Sequence, residues 1–296
     1  MNWFQIEEQS AGKKRLILSY FLYKIFGKKI LYLIAFLVSF FTFIFAPKVR
    51  DFSKKYFNAT GSYTALKPTL INQFKHIYSY AKSLADKILV YCGDFSPDNI
   101  EFIDKDAKQQ FYNDLTKRKG VFFICNHIGN IELFQSFFIK NIMDGSFSVN
   151  IFLSNSRSKI FNSFLKSIQL KYPLKLFYIE DLGINTGAEL KENLNKGDIV
   201  FIAGDRLSEN NDTKNITSTM FNKKIFLPKG TYKLAKLMEV PTYFISIINN
   251  NNRYEIVLER QEDLSEDKLS SAFAKFMERV TLLNPFQFFN FYDFFN

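Results

Sequence analysis

Hydrophobic positions change their rhythm along this chain, and each rhythm predicts a different kind of element. From Leu16 to Phe26 and from Ile30 to Phe45 they run nearly unbroken, with Lys24 interrupting the first stretch, Ser39 and Thr42 the second, and Pro47 closing it. Between Lys67-Pro68 and Val90 they thin out: Leu70, Phe74, Ile77, Tyr80, Ala81, Leu84 and Ile88 recur at helical spacing and predict an amphipathic helix. Past residue 120, short β-rich runs alternate with helical stretches. Val121–Cys125, Val149–Leu153, Lys175–Ile179, Ile199–Ala203, Tyr243–Ile248 and Tyr254–Glu259 read as strands, and Ile131–Lys140, Lys159–Leu170, Ala188–Asn195 and Lys229–Met238 as helices. Such alternation predicts an α/β fold, a mainly parallel sheet flanked by helices. The polar run Asn249–Asn252 before Arg253 reads as the turn of a hairpin, which makes the sheet mixed.

The two apolar stretches divide the chain into a basic, hydrophobic, membrane-associating segment, residues 1–60, and a main domain, residues 61–296. As a helix, Ile30–Phe45 would be about 24 Å long at 1.5 Å per residue, short of the roughly 30 Å of a bilayer's hydrocarbon core. Lys28 and Lys29 precede it, and Lys48, Arg50, Lys54 and Lys55 follow, so basic flanks give no orientation for a single crossing. A hairpin or an in-plane insertion keeps both flanks on one face. Glu7 and Glu8 and the lack of a small-residue cleavage site argue against a secretory signal. A buried core helix is the alternative.

Composition adds little to the fold and something to the partners. The 36 phenylalanines and 15 tyrosines are far above the usual allotment, yet abundant Lys, Asn and Ile beside them fit an A·T-rich coding sequence as well as lipid contact. A net charge of +10 would draw the chain to anionic partners, such as a lipid surface, an acidic carrier protein or nucleic acid. Cys92 and Cys125 suit a reducing compartment and offer neither a disulfide framework nor a metal site. Glycine-rich phosphate cradles and a G-x-S-x-G nucleophile elbow are missing.

The chemistry concentrates in Val121–Glu132. A histidine, His127, leaves a buried strand and a carboxylate, Glu132, follows five residues later. In an extended chain they would lie roughly 16 Å apart at about 3.3 Å per residue, so a turn must bring them together. Gly129 can supply positive φ, Asn130 a helix N-cap, and Glu132 would then stand in the first helical turn, able to orient the imidazole as the acid of a triad does. The alternative is that Asn130 and Glu132 merely cap a helix and His127 is a satisfied strand-end residue. Position favours chemistry, because open α/β sheets place their sites beyond the carboxyl ends of strands. The other histidine, His76, falls inside the amphipathic helix without an acidic neighbour and reads as a surface or packing residue.

These residues carry a resemblance. Asn126-His127-Ile128-Gly129-Asn130-Ile131-Glu132 resembles the H-x4-[DE] block of the bacterial lysophospholipid acyltransferase superfamily, in its lipid A acyltransferase-like and predicted-acyltransferase branch. Gly197–Arg206 is similar to that family's strand ending in Asp-Arg, and Met220–Gly230 to its block closing with Pro-x-Gly, in matching order. Asn222 and Lys229 stand where the family usually has a glycine and a smaller residue. The aromatic ending Asn284–Phe294 is closer to the predicted-acyltransferase branch than to the lipid A enzymes. The resemblance implies a glycerol-3-phosphate acyltransferase-like fold on the cytoplasmic face of a bacterial inner membrane. It implies transfer of a fatty acyl group from acyl carrier protein or coenzyme A to a hydroxyl of a membrane lipid or glycolipid, without a bound cofactor or metal. His127 would be the general base and Glu132 its orienting acid. Asn130, Arg157, Asp205, Arg206, Pro228, Lys229 and Gly230 would bind substrate, Arg206 gripping a phosphate or developing oxyanion and the helix start at Pro228 receiving an anionic group.

Three rivals stand beside this reading. A thioesterase would use Cys125 as nucleophile, but side chains two apart on a strand are about 6.5 Å from one another, too far for His127 to activate it. A nucleic-acid binder would use the positive charge and aromatic rings, though the basic residues are dispersed and no recognition motif appears. An inactive lipid-binding protein on the same fold is the third, and the presence of both His127 and Glu132 weighs against it. Oligomeric state is not set by the sequence.

Overall fold

The computed structural model describes residues 13–134, 148–153, 174–179, 183–207, 215–251 and 253–295. Arg157 and the stretch expected to be helical at Lys159–Leu170 lie outside them, as does most of Ile131–Lys140. In chain order the helices are α1 (Lys13–Phe26), α2 (Lys28–Phe45), α3 (Pro47–Thr64), α4 (Leu70–Tyr91), α5 (Lys105–Thr116), α6 (Ile184–Asn195), α7 (Lys229–Met238) and α8 (Glu266–Leu283). The strands are β1 (Ile100–Phe102), β2 (Val121–Gly129), β3 (Val149–Leu153), β4 (Leu174–Tyr178), β5 (Ile199–Ala203), β6 (Asn215–Met220), β7 (Lys223–Pro228), β8 (Thr242–Asn250) and β9 (Arg253–Gln261).

A seven-stranded sheet in the order β1-β9-β8-β2-β5-β3-β4 forms the centre, and β6-β7 is a separate antiparallel hairpin. The run from β8 through β2, β5 and β3 to β4 is parallel. Strand β9 returns antiparallel through the Asn250–Arg253 turn, and β1 lies parallel to β9 at the edge. The expected mainly parallel mixed sheet with flanking helices is therefore present. Its middle strand β2 is buried on both sides, because both faces are covered, as parallel sheets require. Phe122, Ile124 and Ile128 join one core with Tyr232 of α7, Phe273 and Phe276 of α8, and Tyr56 and Phe57 of α3. Phe123 and Cys125 join the other with Phe111 of α5 and Tyr243 and Ile245 of β8.

The apolar N-terminal stretches form helices, and α2 is one helix near the N-terminus long and apolar enough to cross a membrane. Only 17% of it is buried, and Leu33, Leu37, Phe40, Phe41 and Phe45 are exposed. Its other side, Leu31, Ala35 and Ser39, is covered. Phe36 packs on Phe74 and Tyr78, Phe43 on Phe74, and Tyr32 donates to Asp86 at 2.7 Å, so α2 runs antiparallel along α4. Helix α3 spans the expected boundary at residue 60, and it buries Phe52, Tyr56 and Phe57.

Helix α4 starts where Thr69 accepts a hydrogen bond from the Asn72 N–H at 3.2 Å. Inside it, His76 is a packing residue, 1% exposed. Its Nε2 donates to the Phe288 carbonyl at 2.6 Å, which leaves Nδ1 to accept from the Ser53 hydroxyl at 3.0 Å. Burial pushes the imidazole down from 6.5 to about 4, with the bond to Phe288 opposing it weakly. A base depressed in the folded state binds its proton more readily when unfolded, so its contribution is intact above pH 6.5 and is lost as pH falls through 4. Stability should therefore drop by about 3 kcal/mol over that window from this residue. Denaturant midpoints of the wild type and His76→Gln, measured between pH 7 and 4, test it: the variant should be weaker at pH 7 but lose less on acidification. Parallel curves would refute the assignment.

Candidate functional site

Strand β2 does not stop at Cys125 but continues to Gly129, and the continuation is irregular. Cys125 pairs with Ile245 and Gly129 with Ile247, so Asn126, His127 and Ile128 stand opposite Ser246 alone. Such a bulge turns side chains out of the pleat and leaves backbone groups without ladder partners. Several are met from elsewhere. The Asn126 Oδ1 accepts from the Ile128 N–H at 3.0 Å and the Ser246 hydroxyl at 2.8 Å. The His127 N–H donates to Asp205 Oδ2 at 2.8 Å, and the His127 carbonyl accepts from the Phe289 N–H at 2.8 Å. Gly129 ends the bulge at φ 77°, where an added Cβ would stand 1.9 Å from the Ile247 carbonyl oxygen. The expected turn glycine is thus required twice over, by conformation and by space.

The central contact is between His127 and Asp205. Nδ1 of His127 lies 2.8 Å from Asp205 Oδ1. The cause is register: β2 and β5 are parallel neighbours with Val121 beside Ile199 and Cys125 beside Ala203, and His127 and Asp205 each lie two residues further on. Asp205 is wholly buried, and although burial opposes ionisation, the imidazole, Arg206 and the Asn290 amide hold its carboxyl down at about 2. An ionised carboxylate only accepts, so Nδ1 carries the proton and Nε2 presents a lone pair. The His127 side chain is 35% exposed, against none for Asp205. Burial and the Arg206 guanidinium push the imidazole below its ordinary range, more than Asp205 and Glu132 lift it. At neutral pH it is an uncharged base.

Two expectations are corrected here. Glu132, expected to orient His127, is ion-paired with Lys87 of α4, and acts on the imidazole only through its charge. Burial raises its carboxyl, but Lys87, a backbone N–H and the charge of His127 together outweigh it and hold the group below the usual carboxylate range. Asp205, expected to bind substrate, instead lies fully buried against Nδ1 of His127, in the place expected of Glu132. Asn130 is 6% exposed, and its amide donates to the Ser83 carbonyl of α4 at 2.9 Å, which docks the turn on that helix.

Arg206 stays at the site, with Nε donating to Asn290 Oδ1 at 2.9 Å and Nη2 to the Phe289 carbonyl at 3.0 Å. Pro228 begins α7 without a side-chain cap, and Gly230 has open space where a Cβ would be. Lys229 is half exposed, 3.5 Å from Glu266. This helix start lies beside the end of β5, because the Thr231 hydroxyl donates to the Ala203 carbonyl and the Tyr232 hydroxyl to that of Gly204. The structure thus gathers His127, Asp205 and Arg206, brings the Pro228–Gly230 turn alongside, and turns Asn130 and Glu132 to α4.

Asn290 and Lys87 went unnoticed in the sequence, as no local pattern marks either. The His–Asp pair did leave a signal, since each residue stands six positions after the start of its strand. No protein-family model matches the chain, and no curated protein matches it.

Gly129→Ala should destabilise the protein by well over 1 kcal/mol, since it adds a carbonyl clash to a disfavoured backbone region. Equilibrium denaturation checks this, and a loss of only a few tenths would mean that the bulge is not built as described.

Proposed function

We propose that the protein is a membrane-associated acyltransferase that moves a fatty acyl group from the thioester of acyl carrier protein or coenzyme A to a hydroxyl of a lipid or glycolipid. The observation that carries this reading is an ionised, fully buried Asp205 on Nδ1 of His127, leaving Nε2 of a partly exposed, uncharged imidazole as the acceptor. An alcohol approaching Nε2 gives up its proton as its oxygen attacks the thioester carbonyl. The imidazolium so formed is stabilised by Asp205, and the C–S bond breaks as the departing sulfur takes the proton back. Held together, donor and acceptor react directly, without a nucleophile from the enzyme. Arg206, the cation whose charge His127 feels, is suited to the oxyanion that develops on the carbonyl.

The lipid acceptor follows from what surrounds the base. The turn carrying His127 is fastened to α4 through Asn130–Ser83 and Glu132–Lys87, and α4 carries α2 with its exposed Leu37, Phe40 and Phe41. An apolar face rimmed by Lys28, Lys29, Lys48 and Arg50 suits an anionic membrane surface.

Acyl transfer from labelled acyl carrier protein or acyl coenzyme A to membrane lipids tests the chemistry. His127→Ala and Asp205→Asn should each lower kcat by about a hundred- to ten-thousand-fold. Glu132→Ala should cost less, because its partner is Lys87. Undiminished transfer by His127→Ala would end the proposal, and a loss confined to Glu132→Ala would reverse the two acids. Membrane binding is separable. Replacing Leu37, Phe41 and Phe45 together by serine should weaken sedimentation with phosphatidylglycerol vesicles more than tenfold, each buried side chain being worth about 1.5–3 kcal/mol. Unchanged sedimentation would show that this face is not the membrane contact.

A further inference from the structure

The C-terminal segment reaches the site from outside the sheet. Ile128 bridges to Phe288, the Phe289 N–H donates to His127, and the Tyr292 hydroxyl donates to the Asp205 carbonyl at 3.3 Å. Between them Asn290, 3% exposed, has both ends of its amide committed. Nδ2 donates to Asp205 Oδ2 at 2.9 Å, and Oδ1 accepts from Arg206 Nε at 2.9 Å. An amide, with a donor and an acceptor on one short planar head, serves a carboxylate and a guanidinium at once. A carboxylate there would repel Asp205, and an apolar side chain would leave a buried charge short of a partner.

We propose that Asn290 is a positioning residue of the His127 base: it fixes Asp205 against the imidazole and holds the Arg206 guanidinium beside it, so that the segment from Pro285 onward completes the site. This rests on the reading of His127 as the base. Among the described residues, the charged groups facing the imidazole are Asp205 and Arg206 after β5 and Glu132, itself paired with Lys87 of α4. Of these, Asn290 touches two. Without Asn290, the Arg206 guanidinium loses its bond at Nε and Asp205 Oδ2 loses one of its two donors. The guanidinium beside the ring and the carboxylate on its Nδ1 each lose a restraint, and the cation is expected to recede from the imidazole.

The test is a pH titration of histidine-labelled full-length protein in detergent micelles by nuclear magnetic resonance. The chain has two histidines, and spectra of His76→Gln assign the signal of His127. Asn290→Ala should raise the His127 midpoint by about half a pH unit or more, as a cation recedes from it. It should also lower kcat for acyl transfer at least tenfold with KM little changed. In an Arg206→Gln background the same substitution should produce no further rise. An unchanged midpoint, or a shift undiminished in that background, overturns the proposal. If Asn290→Ala unfolds the site, which a His76 midpoint returning to 6.5 would reveal, Asn290→Asp decides. It keeps the acceptor for Arg206 but sets a carboxylate against Asp205, so the His127 midpoint must rise, and a constant or lower one refutes the role. A shift in the absence of any wild-type acyl transfer would uphold Asn290 while sinking the enzymatic reading.

Discussion

Asp205 is a charge with no water, and the architecture around the sheet's carboxyl end follows from the need to keep it. A buried carboxylate survives ionised only if its lone pairs are filled and a cation or a proton donor stands against it. Here the donors are the His127 backbone N–H, the imidazole Nδ1 and the Asn290 amide, with Arg206 supplying positive charge nearby. Each exists because the chain departs from regularity at that point. The bulge in β2 frees the His127 N–H from the ladder, and Gly129 lets the strand return. The C-terminal segment supplies an amide where the sheet could not. In exchange the carboxylate fixes the imidazole's tautomer, which no other contact described for His127 does.

Helix α4 links this polar cluster to the apolar surface. Toward the site it offers the Ser83 carbonyl, Lys87 and His76, the last holding Phe288. Toward α2 it offers Phe74, Tyr78 and Asp86, and Asp86 also accepts from Tyr254 of β9 at 2.7 Å. Because α2 lies antiparallel along α4, the exposed face of α2 runs alongside the α/β sheet domain instead of projecting away from it. A surface of that kind is suited to lying in a membrane interface.

Where a residue's role depends on local period, the sequence announces it. The limits of β5 and α7, Ile199–Ala203 and Lys229–Met238, coincide with those read from alternation and helical spacing. The hairpin turn before Arg253 and the glycine at position 129 are as legible, since both are matters of φ and neighbouring residues. The pairing of Asp205 with His127 is not local, for it needs the knowledge that β2 and β5 are neighbours in register. Sequence proximity pointed to Glu132 instead, five residues from His127, whose carboxylate is taken by a lysine far back in the chain. The short strand β1, helices α5 and α8 and the β6–β7 hairpin also escaped the reading of alternation. Asn290 is opaque for the same reason as Asp205: its meaning lies wholly in two partners more than eighty residues away.

The same carboxylate bears on which side chain at the site could act as a nucleophile. Cys125 stands two residues before His127 and is the side chain a covalent mechanism would recruit, but it is 8% exposed and packed in the core. Burial raises its thiol first, and the negative charges of Asp205 and Glu132 raise it further, so a thiolate is disfavoured by the charges that surround the base. The imidazole, by contrast, is kept neutral with a free lone pair. Within one strand end, electrostatics silences the internal nucleophile and prepares a proton acceptor. Under the proposed acyl transfer, that combination suits an alcohol brought from outside, and the helices fastened to the site by α4 offer an apolar surface beside it.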